Sequence, residues 1–149
     1  KFKIAKYALS IAQITAAKRG EDVVLDSGET IPNACLTYRP YAPRSYAYLS
    51  DTNYSAKAAG LCKGVDLMYH EATYAAAERK IARERGHSTT AEAARAALRA
   101  GAGRLVIGHF SSRYKELAPL LDEARTLFPA SDPAEEGRTF TIEKRPFRC

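Results

Sequence analysis

Two short runs constrain this chain more than any other feature: VDLMYHE at 65–71 and RLVIGHF at 104–110. Both are nearly continuous in apolar residues, and both are too short for an ordinary helix. A strand that is apolar on its two faces must be covered on both, which is the condition of strands inside a parallel sheet. SYAYLSD (45–51) reads as a third short strand. Between these runs lie segments of helix-forming composition. SAKAAGLCKG (55–64) is closed by Gly64, and TYAAAERKIARERG (73–86), rich in Ala, Glu, Lys and Arg, stops at Gly86. Thr89-Thr90-Ala91-Glu92 has the pattern of a capping box, so a helix is predicted from there to about Ala100, with Ala94, Ala97 and Leu98 facing inward and Gly101 and Gly103 ending it. KELAPLLDEARTLF (115–128) places Leu117, Leu120, Leu121, Ala124, Leu127 and Phe128 on one helical stripe. A last strand is predicted at Arg138–Ile142. The alternation of strand and helix defines an α/β class whose strands can run parallel.

Upstream the signals are weaker. Residues 3–19 carry Ile4, Tyr7, Ala8, Ile11 and Ile14 near one-face helical spacing, and DVVLDSGETI (22–31) reads as a hairpin turning at Asp26-Ser27-Gly28. Pro32, Pro40 and Pro43 mark an irregular connection. The length of 149 residues is that of one domain, 1–149, with enough chain to bury a core. No apolar run is long enough to span a membrane, and the broken N-terminal pattern does not read as a signal peptide. The first residue is Lys rather than Met, which suggests a trimmed chain. Cys35, Cys62 and Cys149 show neither zinc-finger nor disulfide-scaffold spacing, so a reducing, cytoplasmic location is expected. A net charge of +6 permits attraction to a polyanion such as nucleic acid, although scattered charges such as Lys63, Arg79, Arg95 and Arg104 equally suit a solvated surface.

The chain has only three histidines, and each stands where an element is predicted to begin or end. Asp51, His70 and His109 fall at the carboxyl ends of predicted strands, the edge where open α/β sheets bind ligands. His87 precedes a helix start, where free backbone amides favour an anion. Together with Glu71, these side chains could converge on one rim. Carboxylate plus imidazole suits zinc, manganese or iron. A structural role for each histidine is the competing reading.

Four motifs in order add a further argument: Asp51 in YLSDT, His70-Glu71-Ala72-Thr73, Gly86-His87-Ser88-Thr89, and His109-Phe110-Ser111-Ser112-Arg113-Tyr114. Together they resemble the C-terminal half of the ribonuclease Z (tRNase Z) family over roughly residues 20–142. The resemblance implies half of a metallo-β-lactamase αββα sandwich. It implies that Asp51 bridges two zinc ions and that His109 is the last histidine ligand. It further implies that His87 gives a proton to the leaving 3′ oxygen, with Glu71 orienting and charging it. Ser88, Thr89 and His70 belong to the implied substrate-binding set. For Arg113 two roles compete: a brace for neighbouring carbonyls, which we favour, and a place in that same set.

The family's first metal motif, His-x-His-x-Asp-His, does not occur in this sequence, nor does the next ligand histidine. The chain is therefore expected to be a C-terminal half with an incomplete zinc site, inactive alone. Its parent would remove 3′ trailers from precursor tRNA by metal-hydroxide attack on a phosphodiester. Two rivals stay open: another hydrolase of the same fold acting on small molecules, and a non-catalytic basic RNA-binding fragment. A sheet with one face bare of helices is also expected to self-associate as a homodimer, unless residues 1–44 cover that face or the N-terminal half is supplied.

Overall fold

The computed structural model describes residues 7–36 and 43–144. They fall into two units, one built on residues up to Pro43 and the other on Arg44–Glu143. In the smaller, Ser10 caps helix α1 (Ile11–Lys18): its hydroxyl accepts from the Gln13 amide, and the Gln13 side chain accepts from the Ser10 amide. Strands β1 (Val23–Val24) and β2 (Thr30–Ile31) pair antiparallel, as the hairpin pattern predicts, and a short helix α2 (Asn33–Leu36) follows. Ala17, Val23, Ile31 and Leu36 form its core. The helical stripe predicted from residue 3 is not realised here. Ile4 lies outside the described residues, Ala8 has a positive φ of 46° that interrupts the run, and Ile11 is 84% exposed.

The larger unit is an α/β layer. Its sheet has the order β3 (Tyr46–Leu49), β4 (Leu67–Glu71), β5 (Leu105–Gly108) and β6 (Ser131–Pro133), and every pair is parallel. The class read from the alternation is thus the class observed. Helices α3 (Ala56–Leu61), α5 (Thr90–Ala100) and α6 (Ala118–Leu127) share one core with Met68, Leu105 and Ile107, the alternate residues of β4 and β5 that face them. A 3-10 turn (Ala76–Glu78) and α4 (Arg79–Glu84) complete the crossover between β4 and β5.

Helix α5 is cored by alanine. Ala93, Ala94, Ala96, Ala97 and Ala100 are all within 1% of full burial, and such small side chains let helix and sheet backbones approach closely. The Thr89–Glu92 capping box forms as predicted, and Gly101 closes the helix in the left-handed conformation at φ 61°. Leu98, expected inside, is 60% exposed: it stands about 100° around the helix from Ala97 and leaves the alanine stripe. In α6, Leu120 and Ala124 are buried, but Leu127 is 39% exposed and Leu117 lies before the first turn.

The second face of the sheet carries Tyr46, Tyr48, Leu67, Tyr69 and Val106. Tyr48 and Tyr69 stack with ring centroids 4.7 Å apart. Residues 138–142, predicted as a strand, do not pair. Instead Phe140 sits between the guanidinium groups of Arg104 (5.3 Å) and Arg138 (4.9 Å). With Ile142 it lines a cavity of about 400 Å³ over Tyr46, Leu67, Tyr69 and Val106. The sixth strand is Ser131–Pro133, a polar stretch with no apolar signature, held by its register against Leu105–Ile107. The second face is therefore not wholly bare, though Tyr46 and Tyr48 remain 56% and 64% exposed.

Gly103 marks how tightly β4 and β5 are joined. Its amide donates to the Val65 carbonyl at 2.8 Å, and a Cβ added there would lie 2.7 Å from the Asp66 carbonyl oxygen. Backbone cannot swing aside as a side chain can. Gly103→Ala is expected to lower the unfolding free energy by about 1–3 kcal/mol, the usual cost of overpacking, as measured by urea denaturation. A loss below about 0.5 kcal/mol, the scatter of neutral surface changes, would show that the strand start yields freely.

Candidate metal centre

The carboxyl ends of β3, β4 and β5 bring Asp51, Glu71 and His109 together, and the loop before α5 adds His87. Asp51 and His109 are both in the left-handed region, at φ 49° and 61°. Few non-glycine residues sit there, Asp and His more readily than most, and such positions concentrate at functional sites. Leaving the strand with this turn sets the two side chains toward each other. His109 Nε2 lies 3.3 Å from Asp51 Oδ1, and the rings of His109 and His87 are 5.3 Å apart. Asp51, His87 and His109 each offer one ligand atom, and these atoms lie within 4.8 Å of one another.

Beneath them is Glu71, fully buried, with both oxygens engaged. Oε1 accepts from the Thr52 amide (3.1 Å) and lies 2.9 Å from His87 Nδ1. Oε2 accepts from the Thr73 amide (3.0 Å) and the Thr73 hydroxyl (2.9 Å). A carboxylate satisfied in this way holds His87 with Nδ1–H inward, leaving Nε2 toward the cluster. The Thr73 hydroxyl is also 2.9 Å from His109 Nδ1. These demands on Thr73 explain why the helix predicted from residue 73 begins late. Residues 73 and 74 stay extended, with the Tyr74 carbonyl accepting from the Thr90 amide, and regular helix starts only at Arg79.

The remaining predicted site residues lie elsewhere. His70 is 1% exposed on the core side of β4, its Nδ1 2.7 Å from the Glu71 carbonyl oxygen, and it does not reach the rim. Burial holds its imidazole below the usual range, partly offset by the Glu71 hydrogen bond and by the charges of Glu71 and Glu92. Ser88 is fully buried and donates to the Thr52 carbonyl at 2.6 Å. Thr89, 1% exposed, is the helix cap. Neither hydroxyl faces the cluster: both hold the loop that presents His87. Arg113 pairs with Glu78 at 2.6 Å, and its guanidinium lies 5.1 Å from the centre of the Tyr74 ring, which in turn is 6.2 Å from His87. That is a brace, made to a carboxylate and a ring rather than to carbonyls. Thr73 and Thr52 also serve the cluster without standing among the predicted site residues: the first is the last letter of the HEAT motif and so is visible in the sequence, while the second acts through its backbone and leaves no mark there.

One carboxylate and two imidazoles, with the inner nitrogens of both rings held by hydrogen bonds, form a donor set that fits a first-row metal such as zinc. Three donors do not complete a dinuclear centre.

Comparison with known proteins identifies the superfamily. The family model described as the β-lactamase superfamily domain matches residues 1–110, and the chain belongs to that superfamily. Within it, the chain is homologous to ribonuclease Z. It is 44% identical over 136 residues to the ribonuclease Z of Parabacteroides distasonis, covering 91% of this chain and 45% of that protein. It is 46% identical over 137 residues to that of Bacteroides thetaiotaomicron, covering 91% and 43%. Among solved structures, the metallo-β-lactamase fold protein YhfI from Bacillus subtilis matches with a TM-score of 0.57 at 28% identity, over 61% of this chain and 36% of that one. The chain thus spans less than half the length of the relatives it matches.

His70 gives a pH prediction. Its folded-state pKa is lowered, so as pH falls the unfolded chain takes up this proton first. The stability tied to a neutral His70 is complete above the ordinary imidazole pKa of about 6.5 and is lost as pH falls below it. Thermal unfolding at about pH 8 and about pH 5.5 should show a larger loss for the native chain than for His70→Asn, whose amide can keep the bond to the Glu71 carbonyl. Equal losses would mean that His70 contributes nothing to the acid sensitivity.

Proposed function

We propose that this chain is the part of a ribonuclease Z-type phosphodiesterase that carries the HEAT and HST motifs, and that the complete enzyme removes 3′ trailers from precursor tRNA. The observation that carries the reading is the meeting of Asp51, His87 and His109 above a buried carboxylate that holds His87 by its inner nitrogen. Two zinc ions are the proposed cofactors, with Asp51 and His109 as this chain's ligands; bound, they would polarise the phosphodiester and activate water. The other ligands would come from sequence that relatives possess beyond the matched region. His87, protonated at Nε2, gives that proton to the 3′ oxygen as its bond to phosphorus breaks and the bond from the water oxygen to phosphorus forms. Glu71 stabilises the imidazolium and fixes its direction. Ser88 and Thr89 act on substrate indirectly by holding the His87 loop. His70 likewise supports β4 from the core side, and Arg113 braces Tyr74 beside His87.

The proposed location is the cytoplasm, where precursor tRNA is met and where the free thiols of Cys35 and Cys62 are at home. Among the described residues no helix is long and apolar enough to cross a membrane. We also propose that the chain alone forms a homodimer through the tyrosine face of its sheet. Sedimentation equilibrium should give a mass of about twice 16.3 kDa at micromolar concentration. A monomer that binds no hydrophobic dye would overturn this and leave the family membership untouched.

The function is tested by joining this chain to the remaining segment of the Parabacteroides distasonis relative and comparing a precursor tRNA with a chromogenic phosphodiester. Cleavage of the tRNA at the trailer junction is expected. Turnover of the small phosphodiester alone would favour the other hydrolase reading, and binding without turnover the RNA-binding one. In the active chimera His87→Ala should lower kcat by about 10²–10⁴-fold with little change in KM, the signature of a group acting in the transition state. Full turnover with only a raised KM would remove the proton-donor role.

A further inference from the structure

We infer that Thr73 is a positioning residue: its hydroxyl carries the demand of the buried Glu71 carboxylate across to His109 and fixes that ring with the proton on Nδ1, so that Nε2 is the bare nitrogen offered to the cluster. The assignment follows from donor accounting. A threonine hydroxyl has one proton to give and two lone pairs to receive with. Glu71 is fully buried and accepts from three other groups, the amides of Thr52 and Thr73 and His87 Nδ1–H, as a carboxylate does. Its Oε2 lies 2.9 Å from the Thr73 hydroxyl, and an ionised oxygen is the stronger claimant for that proton than a neutral ring nitrogen. With the proton committed to Glu71, the 2.9 Å contact between Thr73 Oγ1 and His109 Nδ1 is a hydrogen bond only if Nδ1 is the donor.

Asp51 makes the competing claim on the ring, with Oδ1 3.3 Å from His109 Nε2, but that contact is longer and more exposed than the 2.9 Å contacts that join the ring through Thr73 to the buried Glu71. His87, held through Nδ1 by the same carboxylate, turns its Nε2 toward the same space. One buried carboxylate therefore orders both imidazoles, His87 directly and His109 through Thr73. This rests on the reading of His109 as a metal ligand only where metal affinity is concerned; the tautomer itself does not.

The test is a long-range ¹H–¹⁵N correlation spectrum of the chain labelled with ¹⁵N-histidine, recorded at about pH 8 so that ordinary imidazoles are neutral. Three histidines give three separable patterns. His109 is expected in the Nδ1–H form in the native chain and in Thr73→Ser. In Thr73→Val, which keeps the shape and loses the hydroxyl, its pattern should shift toward the Nε2–H form while that of His87 stays as it was. A native His109 already in the Nε2–H form overturns the inference from one spectrum, whether or not the valine variant folds; so does a valine variant whose His109 pattern is unchanged. Zinc titrated into the same samples should move His109 Nε2, with affinity about 10–100-fold weaker in Thr73→Val than in Thr73→Ser, the usual cost of losing an outer partner of a metal ligand. Zinc that leaves Nε2 unmoved while the tautomers behave as expected overturns the metal reading and leaves the Thr73 bridge standing.

Discussion

A carboxylate at the bottom of a protein surface, reached by no solvent, survives as an ion only if its oxygens are met by donors. Glu71 is in that position, and meeting its need organises everything around it. The Thr52 amide must turn inward, which fixes the chain just after Asp51. Residues 73 and 74 must stay extended, which delays the helix that their neighbours would otherwise extend. His87 must present Nδ1, which decides the nitrogen it turns outward. None of these residues is close to Glu71 because of its own propensity. They are close because leaving any donor out would cost about 1–3 kcal/mol at a buried acceptor.

The sheet makes this arrangement possible by putting Asp51, Glu71 and His109 at the same level. Parallel neighbours in the register Leu49–His70–Ile107 end together, so residues one or two positions beyond the strands meet at one edge. The left-handed turns at Asp51 and His109 then bend the chain so that side chains, rather than the next backbone groups, occupy that edge. Strain of this kind costs on the order of 1–3 kcal/mol at each residue and persists only where the surroundings over-determine it. Here the surroundings are Ser50, whose hydroxyl donates to Asp51 Oδ2, and Thr73 against His109.

What the sequence discloses and what it hides follow from this division. Apolar runs such as LVIG and the Thr89–Glu92 box are local patterns, and both formed where read, because hydrophobic burial and capping act over a few residues. The rim positions of Asp51 and His109 were legible for the same reason, as ends of strands. His70 points into the core, one residue of parity away from the rim: successive strand residues face opposite ways, and the end of a strand does not say which way its last histidine points. Ser88 and Thr89 were legible as donors but not as donors already spent, since their acceptors, the Thr52 carbonyl and the Glu92 carboxylate, are fixed only on folding. The stretch 138–142 alternates like a strand, yet two arginines from different parts of the chain hold Phe140 over the sheet instead. β6 forms from Ser-Asp-Pro, whose composition argues against any strand; pairing with β5 and the bonds of Arg104 to Asp132 and of Arg125 to the Ser131 carbonyl hold it there.

The hydrogen bonds at Nδ1 of His87 and of His109 are made to Glu71 and Thr73 of this chain, and the loop that carries His87 is pinned by Ser88 and Thr89 within it. The ordering cost of these side chains is thus met during folding of the unit Arg44–Glu143, before any metal or substrate arrives. A segment supplying further ligands would meet side chains already held in place and would owe only the cost of placing its own, which is the condition under which two parts of a site can be joined without each having to remould the other. The exposed tyrosine face of the sheet and the ordered rim lie on the same larger unit, but they call on different physics. The face offers apolar area, while the rim offers donor atoms ordered through Glu71 and Thr73.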